Sequence, residues 1–143
     1  MDRANDPVWL LGRLLMAALF LPSGITKLLG FSGFAASLAT KGLPYPEAWA
    51  AAAIAIEVLG PIALALGFFP RLTALFLIAF VVMATGTTHR YWEFAEAAAR
   101  RAQEVNFYKN VGIIAGLLFY FVSGPGVWSF ARRTSADRQP QVA

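Results

Sequence analysis

Apolar residues run through this chain in four long blocks, at 8–29, 48–69, 72–88 and 110–128, separated by polar stretches of very different length. About 20 mostly apolar residues cross the hydrocarbon core of a bilayer as a helix, so each block predicts a membrane span, the third and fourth at the short limit. Between the second and third blocks only Pro70 and Arg71 intervene, which predicts a tight antiparallel hairpin. The first connection contains Phe31 to Leu38, a short apolar stretch suited to an interfacial helix, ended by Gly42 and Pro44. The third connection predicts a separate exposed or interfacial helix from Tyr91 to Val105, supported by a Glu96–Arg100 pair at i,i+4. The fold class predicted is all-α, an integral membrane four-helix bundle in a single domain over 1–131, with a polar, mobile tail at 132–143. Four spans put both termini on one side.

Composition agrees with a bilayer as solvent. Hydrophobic residues make up 58% of the 143 positions and charged ones 14%, against roughly 25% charged in an ordinary soluble domain. Too little polar surface remains to cover a water-soluble fold. The net charge of +4 is read as topology and lipid contact rather than nucleic-acid binding. Basic residues divide almost evenly between the two sides. Arg132 and Arg133, directly after the last span, tilt the expectation towards both termini in the cytoplasm. Arg13 interrupts the first apolar run and no small-residue cleavage site follows, so that run reads as a retained span rather than a signal peptide. The chain has no cysteine and one histidine. That excludes disulfide, thiolate-metal and iron–sulfur chemistry within the chain, and a haem held by two of its own histidines. No metal site and no intrinsic cofactor are expected.

Ionisable residues inside spans are costly and mark function by default. Glu57 lies about 13 Å into the second span at 1.5 Å per residue, so it must be paired, hydrogen-bonded or protonated. Pro61, four residues on, has no N–H and leaves the Glu57 carbonyl without its helical donor. The bland alternative for Glu57 is a lock on helix packing. Arg13 and Lys27 differ by about 40° around the first helix at 100° per residue, and share a face with Ala17, Phe20 and Gly24. Either can also be read as snorkelling to headgroups. Thr85, Thr88, His89 and Trp92 follow a helical face at the end of the third span, and Lys109 and Asn110 open the fourth. Lys27, Glu57, His89, Lys109 and Asn110 thus converge in depth from four helices and predict a polar, ligand-binding cavity on the side opposite the termini. Arg13, Trp92 and Tyr108 are secondary candidates, with Trp92, Phe107 and Tyr108 as flanks for a ring. The Gly112–Gly116 pair predicts close packing within the bundle.

At these residues the chain resembles the DoxX family of small bacterial four-span membrane proteins. The matching pieces run in order: GRLLMAALFLPSGITKL, FAASLATKGLP, IEVLGPIALALGFFPRLTA, THRYW and NFYKNVGIIAGLLFYFVSGPG. No single piece is specific, but the ordered set is distinctive. The resemblance implies a bacterial inner-membrane protein related to quinol oxidase and thiosulfate:quinone oxidoreductase subunits, with a bound quinone and other oxidoreductase subunits as partners. It leaves open whether the chain is an enzyme. Two other roles stand beside the quinone-interacting subunit: a non-enzymatic scaffold or assembly partner, and a small transporter. The last has little support without an inverted repeat.

Overall fold

The computed structural model describes residues 5–131; the tail at 132–143 and the charges Arg3, Arg132, Arg133 and Arg138 lie outside the described residues. Helices α1 (Asp6–Leu29), α2 (Phe31–Thr40), α3 (Pro46–Leu66), α4 (Pro70–Thr88) and α5 (Ala97–Ser123) follow one another, with a 3-10 turn at Tyr91–Glu93 before α5. Four of them, α1, α3, α4 and α5, are long and apolar enough to cross a membrane. They pack in the order α1, α3, α4, α5, while α2 lies mainly against α3. The core between them is Phe20, Leu64, Ala74, Leu77, Phe80, Val81, Leu117 and Tyr120. The outside is as apolar as the core: Leu15, Leu59, Phe76, Phe119 and Val122 are all exposed. In water such a surface would aggregate; in a bilayer it is the required one.

The buried residues of α1 are Asp6, Arg13, Ala17, Phe20 and Gly24, so the predicted Arg13 face is the one that packs. Where α1 crosses α3, a Cβ on Gly24 would stand 2.9 Å from the Glu57 carbonyl. Glycine is therefore required at the place where Pro61 has freed that carbonyl. The predicted α3–α4 hairpin is present. Gly67, at φ 67°, closes α3, with Gly67 N–H donating to Leu64 O at 3.1 Å and Phe68 N–H to Ala63 O at 2.8 Å. This is the Schellman arrangement, and Pro70 then starts α4. The short helix predicted after α1 is also present, extended to Thr40.

Three expectations need correction. The stretch 91–105 is not a helix separate from the fourth span, because α5 runs unbroken for 27 residues from Ala97. The segment from Ala97 to Val111 contains no glycine or proline to stop it, only a change from polar to apolar at the membrane boundary. The same helix ends at Ser123, not 128: Gly124, at φ 79°, and Pro125 terminate it. Glu96 does not pair with Arg100. It is the N-cap of α5, its carboxylate accepting from Ala98 N–H at 2.9 Å and Ala99 N–H at 2.6 Å. These two donors hold the Glu96 pKa below the usual carboxylate value. A carboxyl whose folded pKa is depressed stabilises above its unfolded pKa and loses that contribution as pH falls through the folded value. Glu96→Ala is therefore expected to speed amide exchange in the first turn of α5 near neutral pH and to leave exchange unchanged in strong acid; equal exchange in both proteins near neutral pH would show the cap to be idle.

Candidate functional site

Two polar assemblies occupy opposite ends of the bundle. At the end carrying the termini, Arg13 is 2% exposed. Its Nη1 donates to Ala65 O at 2.9 Å and its Nη2 donates to Trp128 O. The Schellman turn satisfies the carbonyls of Ala63 and Leu64, and Arg13 takes the next one in line, at the negative end of the α3 dipole. The chain after α5 folds back over this junction. A Cβ on Gly67 would lie 2.7 Å from Arg13 Nη1 and 2.5 Å from Ser129 Cβ, so the turn, the arginine and the return segment are in contact. Arg13 does not snorkel to headgroups; it staples α1, the end of α3 and the segment following α5.

At the other end, Lys27, Glu57, His89, Lys109 and Asn110 line one cavity of about 180 Å³ between α1, α3, α4 and α5. All five residues singled out from sequence meet there. Lys27 Nζ donates to Glu57 Oε2 at 2.6 Å, and the Glu57 side chain is only 5% exposed. A buried carboxylate needs such a partner. The ammonium also lies 5.3 Å from the ring centroid of Phe34 on α2 and 5.6 Å from that of Phe80 on α4. Both are within cation–π range. Lys27 is thus turned inward rather than to the headgroups. Asn110 is buried, its Nδ2 donating to Thr85 Oγ1 at 2.9 Å, and that hydroxyl donates in turn to Val81 O at 2.6 Å. His89 caps α4, and Nδ1 lies 2.7 Å from Gln103 Oε1. An amide oxygen only accepts, so Nδ1 carries the proton and Nε2 is the nitrogen left for a ligand. Lys109 sits at the rim, Nζ donating to Asn106 Oδ1 at 2.9 Å. Phe20, Phe80, Val81 and Ile113 supply the apolar walls.

Among the secondary candidates only Arg13 is buried, and it serves the far end. Trp92 and Tyr108 are exposed and outside the cavity lining. With Tyr91 and Phe107 they form a separate cluster, ring centroids 5.2 to 6.5 Å apart, of the kind found at headgroup depth. Trp92 leaves the predicted helical face because α4 stops at Thr88. Sequence reading missed Gln103, Phe34 and Phe80. Gln103 and Asn110 are seven residues apart on α5, so a continuous helix through 97–123 would have placed them on one face. Gly116 packs on Met16 of α1, whose Cε would lie 3.1 Å from a Cβ there, while Gly112 faces open space. The predicted close approach holds for Gly116 alone. Among the described residues no three His, Cys, Asp or Glu side chains are grouped to hold a metal ion.

The DoxX sequence model matches residues 8–90, which carry Arg13, Lys27, Glu57 and His89. The inner membrane protein YphA of Escherichia coli K12 is 33% identical over 130 residues, 91% of this chain and 92% of that protein. The inner membrane protein YqjF of the same strain is 31% identical over 132 residues, 92% of this chain and 95% of that protein. No solved structure gives a significant match. With four spanning helices and this likeness over nearly its whole length, the chain is a multi-pass membrane protein that belongs to the DoxX family.

Proposed function

We propose that the chain is a quinone-interacting subunit of a membrane oxidoreductase system, lying in the inner membrane with both termini in the cytoplasm. The observation that carries this reading is the cavity itself: polar groups from four helices face one small space with apolar walls. A quinone ring fits that chemistry, because it needs a hydrogen-bond donor for each carbonyl and apolar surface for its faces. The remaining N–H of Asn110 and the ammonium groups of Lys27 and Lys109 are the donors, and His89 Nε2 is an acceptor for the hydroxyl of the reduced quinol; Phe80 and Ile113 face the ring. When bound, the quinone supplies the two-electron chemistry that the side chains of this chain lack. The residues bind and orient it, and the Lys27–Glu57 pair holds an exchangeable proton between Nζ and Oε2 at the inner end of the cavity.

A second reading rests on the same ion pair. A direct 2.6 Å bridge between α1 and α3 also serves as a packing lock in a scaffold without ligand chemistry. Mass spectrometry of small molecules extracted from gently purified protein separates the two, run beside Glu57→Gln. Quinone enriched in the parent and reduced at least tenfold in the variant is the result expected. Protein that never carries or takes up quinone, in either form, would leave the scaffold.

A further inference from the structure

A second cavity, of about 280 Å³, opens between α2 and α4 and shares Lys27, Phe80, Ala84 and His89 as a common wall with the first. Its chemistry is different. The body is apolar, formed by Phe34, Leu38, Leu43, Trp49, Ala53 and Met83. Trp49 and Met83 are 41% and 42% exposed, so the cavity is open at its bilayer edge. α2 packs mainly on α3, and among the described residues the gap to α4 is bridged by Lys41 Nζ donating to Thr88 Oγ1 at 3.0 Å. Among the described residues no carboxylate lies within ion-pair distance of Lys41. Glu47, the acid at the start of α3, does not line the cavity. Ser37 and Thr87 add hydroxyls to the lining.

We propose that this cleft is a binding site for an anionic membrane phospholipid, one acyl chain lying in the apolar body and the acidic head held by Lys41 and the Thr88 hydroxyl. The assignment follows from three features. Apolar walls open to the bilayer favour a chain, which gains from each methylene buried. An ammonium whose only partner among the described residues is a neutral hydroxyl lacks a counter-charge there, and a phosphate diester supplies one. Lys41, just past the end of α2, lines the same cleft as the apolar body, so one molecule with a charged head and an apolar chain engages both. A head-only anion would leave the apolar walls bare, and a zwitterionic lipid would bring its own cation beside Lys41. The site stands independently of the quinone reading.

The test is native mass spectrometry of the full chain after exchange into micelles containing equal amounts of phosphatidylglycerol, phosphatidylcholine and a free fatty acid. The parent is expected to retain phosphatidylglycerol about fivefold over phosphatidylcholine, the scale of one basic residue at an anionic surface. Lys41→Ala is expected to abolish that preference, and Ala53→Trp, which fills the cavity, to reduce retention of every lipid. Arg71→Ala, an exposed cation at the α3–α4 turn, is expected to leave the preference intact. Equal retention of the two phospholipids by the parent, retention of fatty acid alone, or an equal loss in Arg71→Ala would overturn the proposal. Circular dichroism on each variant checks that the helices are retained.

Discussion

Arg13→Met is expected to loosen the whole terminus-side end of the bundle, at a cost of about 3 kcal/mol, the low end for two hydrogen bonds from a charged donor. The low end applies because hydrogen bonds within membrane proteins average less than their counterparts in soluble ones. The substitution keeps the length and much of the volume of the side chain, so the loss reports the guanidinium and not a cavity. Two carbonyls, of Ala65 and Trp128, lose their donor, and the positive charge at the negative end of α3 goes with them. Arg13→Lys is expected to recover less than half the loss, because one ammonium does not reproduce the planar fork that reaches two carbonyls on different segments. Thermal unfolding in detergent measures the stability. Hydrogen exchange locates the effect, which should fall on residues 63–69 and 124–130 and spare the Lys27–Glu57 cavity. An Arg13→Met protein as stable as its parent, with unchanged exchange at both segments, would mean that the staple contributes nothing.

That staple shows where sequence reading stopped. Spans, hairpin and the short helix after α1 were legible because the bilayer forces long apolar runs into helices and Gly and Pro punctuate them. The convergence of Lys27, Glu57, His89, Lys109 and Asn110 was legible for the same reason: depth in a membrane follows residue count along a straight helix. Azimuth is harder. Whether Lys27 turns inward or snorkels depends on which neighbour faces it, and only packing places Glu57 within 2.6 Å. Arg13 was harder still, since its acceptors are carbonyls 52 and 115 positions away and carbonyls leave no mark in a sequence. The boundary of α5 was missed for another cause. Hydropathy changes at the membrane surface, but backbone conformation does not; the stop was written in Gly124-Pro125, not in the end of the apolar run.

The Lys27–Glu57 pair yields the sharpest separation of fold from function. Glu57→Leu alone is expected to destabilise by about 3 kcal/mol, because it strands an ammonium among the spans. The figure sits at the low end of the usual range since Lys27 is 28% exposed and can turn towards water. Lys27→Met alone is expected to cost more, because the carboxylate it abandons is 5% exposed and too short to snorkel. Removing both charges at once is expected to restore stability to within about 1 kcal/mol of the parent, as when buried pairs give way to apolar groups of similar volume. The coupling between the two sites, read from the double-mutant cycle, is therefore large and favourable. Ligand uptake should not follow stability. If the cavity binds a quinone through these groups, Lys27→Met/Glu57→Leu is stable yet takes up no quinone above background. A stable double variant that still takes up quinone like the parent makes the pair a lock on helix packing, and moves the site away from it. A double variant no more stable than either single one would instead place the pair's value in contacts beyond its own charges, with Gly24 and the freed carbonyl of Glu57 the first place to look.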